Sequence, residues 1–171
     1  MEIECMEQMK TVIAKDAIRS KLYTYCRGMD RIDNDLAYTA FTEDSQVDYG
    51  PHFTGTGREF VDWVSKTHEK VYLATTHQIT NIIIEVHGDT ACSEAYLHTL
   101  QLTRPNDKGK SQELHVAARY LDEWVLRDED WKIQRRRYIQ DIAEVRNCEY
   151  DGGRFGAARD KTDPSYEILG K

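Results

Sequence analysis

The feature that most constrains this chain is a change of hydrophobic period between Thr67 and Thr76. Before it, apolar residues recur at steps of three and four. Ile13, Ala17, Ile18, Leu22, Tyr25, Cys26 and Met29 share one face of a helix over about residues 1–30, with Gly28 near its end, where helices commonly stop. Asp33 reads as the N-cap of a short second helix whose apolar side is Leu36, Ala37, Ala40 and Phe41. A turn at Thr42–Asp44 and a short strand at Gln46–Tyr49 follow, the strand ended by Gly50 and Pro51. A third helix begins near Gly57 and buries Phe60, Val61, Trp63, Val64 and Thr67. After it the period is two. Thr76–Val86, Thr90–Thr103, Gln112–Leu126 and Trp131–Ile142 read as long strands, and the first and last breaks between them are short enough for antiparallel hairpins.

Helices first and strands afterwards argue an α+β domain. A long sheet with one helical layer must bend around that layer, which leaves a cone-shaped cavity suited to a small molecule. The 171 residues suffice for one domain, assigned to 1–150. From Asp151 the chain turns Gly- and charge-rich and reads as a loose tail or subunit-wrapping arm over 151–171. The net charge of −7 disfavours nucleic acid and anionic membrane as partners. No apolar run approaches the roughly 20 residues of a membrane span, and residues 1–10 lack the order of a signal peptide. Cys5, Cys26, Cys92 and Cys148 show no CxxC pairing, so reduced thiols and a cytoplasmic location are expected. Without a short metal motif, no metal is expected.

Two residues stand out chemically. Asp30 closes the first helix, where the helix dipole disfavours a carboxylate unless water or a cation holds it. His77 opens the first long strand. A histidine oriented by a carboxylate is a competent general base near neutral pH. Spacing alone does not pair them: an aspartate after a helix is usually a turn residue and a strand histidine is usually structural. Tyr25 lies five residues before Asp30 and points toward the same region. Trp124 and Trp131 read as core or interface. His52, His68, His87 and His115 read as loop or surface, and Asp122 and Glu123 as solvent-side strand residues.

The segments Tyr25-Cys26-Arg27-Gly28-Met29-Asp30, Val47-Asp48-Tyr49, Glu59-Phe60-Val61-Asp62-Trp63-Val64-Ser65 and Thr76-His77-Gln78-Ile79-Thr80-Asn81 resemble the SnoaL-like group of the nuclear-transport-factor-2-like superfamily. So does the pair of strands from Ala118 to Ile133. The resemblance covers about Asp16 to Asp141 and is nearest to scytalone dehydratase, bile-acid 7α-dehydratase and hexachlorocyclohexane dehydrochlorinase. It implies a cone-shaped α+β barrel, with a strongly curved mixed or antiparallel sheet wrapped around N-terminal helices. It also implies a homotrimer or homodimer and a cofactor-free elimination on a hydrophobic cyclic molecule such as a steroid or polyketide. His77 falls at the family's base, Asp30 at its partner, Tyr25 and Tyr49 at the tyrosines that bind the carbonyl or leaving group, and Trp63 at a pocket wall. Where scytalone dehydratase has a second catalytic histidine, this chain offers Thr99 or Gln101, and strand parity turns His98 to the opposite face. The leaving-group acid is thus Tyr49 or a water. Tyr120 and Tyr138 complete an aromatic wall. Arg136 shares a side with Tyr138 and Gln140, which the resemblance turns toward the pocket, while its place in a basic run suits a solvated or subunit-contact face equally. The same dyad would serve an isomerase or polyketide cyclase, and the fold also occurs in non-catalytic modules such as the dioxygenase β subunit.

Overall fold

A computed structural model describes residues 2–148 and 155–169. In chain order the elements are α1 (Glu2–Arg31), α2 (Asn34–Tyr38), β1 (Phe41–Asp48), β2 (Thr54–Gly55), α3 (Gly57–Val71), β3 (Tyr72–His87), β4 (Thr90–Thr103), β5 (Ser111–Arg127), β6 (Asp130–Cys148) and α4 (Pro164–Leu169). The change of period is therefore the boundary between α3 and β3. The six strands form one mixed sheet in the order β2-β1-β6-β5-β4-β3. β1 runs parallel to β6, and every other pairing is antiparallel. The sheet curves around the helices but does not close, since β2 and β3 remain edges. The architecture is thus an open half-barrel rather than a barrel.

Bulges make the bend. β3 sets Thr80 and Asn81 against the single Tyr96 of β4, and β6 carries Gln134 and Asp141 as extra residues against a continuous β5. Each adds local twist and bends the strand. The β3 bulge also exchanges faces, so Thr75 and His77 point to the concave side and, beyond it, Ile82 and Ile84 do so instead. Thr42–Asp44 is not a free turn. It lies inside β1, in the irregular stretch between the Phe41–Ile133 and Gln46–Arg135 pairs. The chain kinks there without leaving the sheet.

One core fills the concave side. Ile18, Leu22, Tyr25 and Met29 of α1 and Phe60, Val61 and Val64 of α3 pack among Leu97, Tyr120, Trp124 and Ile133. Each fully buried aliphatic side chain here contributes roughly 1.5–3 kcal/mol. Ile13 lies outside this stripe at 62% exposure, and Ala14 takes the inward place. Gly28 does not end α1. It lets α2 approach, since a Cβ there would lie 2.8 Å from the Ala37 nitrogen. The helix ends three residues later, where Ile32 adopts φ +52° and the Asp33 N–H reaches the Gly28 carbonyl at 2.9 Å. Asp33 then caps α2 through the Leu36 N–H, as its sequence position predicts. α3 opens on a capping box between Thr56 and Glu59. No helix among the described residues is long and apolar enough to cross a membrane.

Of the C-terminal stretch, 149–154 and 170–171 lie outside the described residues, Gly152 and Gly153 among them. Of the part from Phe155 onward, Asp163 to Tyr166 packs back beside the end of α1 and the start of α2, while Phe155 stays fully exposed. Asp163 pairs with Arg31 at 3.3 Å, the Tyr166 hydroxyl donates to Asp33 at 2.8 Å, and the Arg27 guanidinium lies 4.4 Å from the Tyr166 ring centre.

Candidate active site

The last turn of α1 carries Asp30 to the inner face of β3. There the carboxylate accepts three hydrogen bonds: from the His77 backbone N–H at 2.9 Å, from the Thr75 hydroxyl at 3.2 Å and from His77 Nδ1 at 2.6 Å. Both side chains are nearly buried, at 13% exposure for Asp30 and 8% for His77. Asp30 is acceptor-only when ionised, so His77 donates from Nδ1. In the neutral ring that sets the tautomer, with the Nε2 lone pair left for the cavity that His77 lines.

The cavity has a volume of about 260 Å³. Its walls come from α1, α3 and the inner faces of β3 to β6. Tyr25, Tyr49, His77, Trp63, Thr99, Gln101, Tyr120 and Tyr138 all line it, so the structure gathers nearly every residue the sequence singled out. Asp30 stands behind His77. Thr99 faces His77 across the β3–β4 ladder, and His98 opens on the other side of the sheet, as parity requires. Among the described residues no Asp, Glu, Lys or Arg lines the cavity. The Tyr49 ring stacks between Phe60, at 4.2 Å, and Tyr138, at 4.6 Å. Its hydroxyl is buried with no hydrogen-bond partner of ordinary geometry. Burial pushes Tyr49 and Tyr120 well above the usual phenol range and raises Tyr25 as well. All three stay protonated and can donate.

Arg136 is the exception. It is fully buried yet does not line the cavity, and it is neither solvated nor on an outer face. It donates through Nε and Nη2 to the two oxygens of Asp122, both at 2.7 Å. Its guanidinium lies 3.9 Å from the Tyr120 ring centre and 4.5 Å from that of Tyr25. Asp122 is correspondingly buried at 2% exposure, not a solvent-side residue. The signal was available: Tyr120, Asp122 and Trp124 share one strand parity, and both aromatics face inward.

His68 corrects the expectation of a surface histidine. It is 6% exposed, lines the cavity and leaves Nδ1 without a partner. Burial, then the neighbouring His77 and Arg159, lower its pKa to about 3, so it is uncharged near neutrality. It follows Val61 and Val64 on the buried stripe at helical spacing. His52, also expected on the surface, is exposed but stands at the cavity wall. Across the β3–β4 hairpin, Glu85, His87 and Cys92 bring ligand-type atoms within 4.8 Å of one another, all exposed and outside the cavity.

The profile of the SnoaL-like domain matches residues 10–137, which contain every cavity-lining residue except Tyr138 and Gln140. The chain belongs to the SnoaL-like domain family. Comparison with curated protein sequences gives no significant match. Among solved structures, this SnoaL-like chain is similar to a scytalone dehydratase-like protein from Novosphingobium aromaticivorans, at 21% identity and TM-score 0.70, covering 90% of this chain and 96% of that one. A type 2 hexachlorocyclohexane dehydrochlorinase aligns at 20% identity and TM-score 0.72, covering 88% and 97%. A nuclear-transport-factor-2-like protein from Salmonella enterica aligns at 19% identity and TM-score 0.67, covering 85% and 99%. At these identities the likeness establishes the fold.

Proposed function

We propose that this SnoaL-like protein is a cofactor-independent lyase that eliminates water or halide from an uncharged, hydrophobic cyclic molecule, with His77 as general base. The observation that carries the reading is the 2.6 Å bond between Asp30 and His77 Nδ1, which leaves Nε2 free at an aromatic cavity. Nε2 takes a proton from a carbon made acidic by a neighbouring carbonyl or leaving group. The electron pair forms the new double bond as the leaving group departs. A halide leaves as the anion. A hydroxyl can leave with the proton His77 has just acquired, so the step balances without a second charged acid, consistent with Thr99 and Gln101 on the facing strand. The hydroxyls of Tyr25 and Tyr49 donate to the oxygen on which charge grows. Neutral His68 adds a hydrogen-bonding group without a charge.

The lining supports this substrate class, because a wall without carboxylates or cations offers a charged molecule no counter-ion. At about 260 Å³ the cavity lies at the small end for ligand sites, which usually run roughly 300–1,000 Å³. This favours a one- or two-ring substrate over a steroid. The dehydratase-like and dehydrochlorinase neighbours add support, since both names denote eliminations.

The test is turnover of cyclic β-hydroxy ketones and of hexachlorocyclohexane, followed by water loss in mass spectra and by halide release. Wild-type protein is expected to turn over at least one class, and His77→Ala to lower the rate by about 10²–10⁴-fold, the usual worth of a general base. Full activity in His77→Ala or Asp30→Asn contradicts the reading. An isomerase or cyclase would use the same dyad, with the Tyr49 hydroxyl, buried beside those of Tyr25 and Tyr120, stabilising an enolate. A product of unchanged mass identifies it.

A further inference from the structure

Asp30 occupies an electrostatically poor position. It lies in the last turn of α1, where unpaired carbonyls make the helix end negative. The end of α3 is close by, since Arg159 touches the carbonyls of Asp30, His68 and Tyr72 together. A carboxylate between two negative helix ends calls for a cation.

Arg159 meets that need from outside the sheet. Its Nη1 donates to the Tyr72 carbonyl at 2.9 Å and the His68 carbonyl at 3.3 Å, and its Nε to the Asp30 carbonyl at 3.4 Å. Its Nη2 donates to the Thr75 hydroxyl oxygen at 3.2 Å. Thr75 has one proton to give, and it goes on to Asp30 Oδ1 at 3.2 Å. That same oxygen receives His77 Nδ1–H. Donors therefore run in one direction, from Arg159 through Thr75 to Asp30, and meet the donor from His77 at a single oxygen.

We infer that Arg159, carried by the segment beyond the last strand, is a positioning residue that holds the Asp30–His77 dyad in its base-competent tautomer. The inference rests on the dyad proposed above. A base facing the cavity needs the Nε2 lone pair, hence the proton on Nδ1. Aligned hydrogen bonds reinforce one another in a low-dielectric site, and a supporting shell fixes the rotamers of the groups it touches. Without Arg159 the Thr75 proton is free to turn away. Asp30 then loses a donor and its fixed orientation, and the His77 ring is released toward the Nε2–H tautomer ordinary in water. The far end of the chain thus belongs to the site although it lines none of the cavity.

The test needs no substrate. In full-length protein carrying ¹⁵N-labelled histidine, long-range ¹H–¹⁵N spectra at mildly alkaline pH report which ring nitrogen of His77 bears the proton, with His77→Gln assigning the signal. The wild type is expected to show a majority of Nδ1–H. Arg159→Met and Thr75→Val are each expected to lose that majority while keeping the wild-type circular dichroism. Thr75→Val leaves the carbonyl contacts in place, so it decides the matter if Arg159→Met does not fold. An unchanged Nδ1–H majority in a folded variant overturns the inference and leaves the dyad standing. An Nε2–H majority in the wild type overturns the dyad itself.

Discussion

Two carboxylates on the concave side of this molecule hold a basic partner, and the difference between them separates chemistry from scaffolding. Asp122 and Arg136 are sealed, with both oxygens of the carboxylate engaged by the guanidinium fork. The pair lies under Tyr25 and Tyr120, away from the cavity that His77 lines, although both residues border a separate groove beside β1. Asp30 and His77 keep some exposure, and the second ring nitrogen of His77 belongs to the cavity. An arginine stays protonated in any protein site, whereas an imidazole exchanges its proton near neutrality. The sealed pair packs against the rings of Tyr25 and Tyr120. The proposed function assigns the proton transfer to the open pair.

The sharpest way to break this contrast is to halve the sealed pair. Arg136→Met should cost about 3–5 kcal/mol in urea unfolding, because it strands a buried carboxylate. Replacing both partners, as in Asp122→Leu with Arg136→Met, should recover most of that loss. A single variant of near wild-type stability would show that the pair is not structural.

The pH dependence of stability comes next in size. His68 has a folded-state pKa near 3, below its ordinary value of 6.5. The unfolded chain therefore binds a proton that the folded chain refuses. The stabilisation is complete above pH 6.5 and is lost as pH falls from there toward 3, by at most about 1.4 kcal/mol per pH unit. His68→Gln should flatten this limb in unfolding curves measured between pH 7 and 4 (roughly the window in which a shifted histidine acts). An unchanged slope would mean that the ring is hydrated.

The smallest stability effect should come from the open pair. His77→Asn leaves Asp30 the Thr75 hydroxyl and the backbone N–H of residue 77, so unfolding free energy should fall by about 1–3 kcal/mol, less than for Arg136→Met. A loss as large as that of Arg136→Met would erase the distinction between the two pairs.

Much of this was legible in the sequence, and the limits have physical causes. The exchange of period marked the α3–β3 junction, and parity turned His98 away from Thr99 and Gln101, while it was the resemblance that turned Tyr138 toward the pocket. The Asp33 cap was readable because capping is local. Resemblance, not spacing, joined Asp30 to His77, because 47 residues separate them and the contact depends on how α1 crosses β3. Arg136 misled because a basic run usually faces water, and only its partner Asp122, 14 residues earlier, explains its burial. Arg159 carried no signal at all. It lies 129 residues from Asp30, in a stretch whose composition resembles a linker.

The most direct measurement is elimination by wild type and His77→Ala side by side on the same probe substrates, with product and released leaving group both quantified. The dyad predicts a double bond formed with stoichiometric loss of water or halide, and a rate lower by about 10²–10⁴-fold without the imidazole, in a variant that remains folded. Equal rates from the two proteins would contradict it.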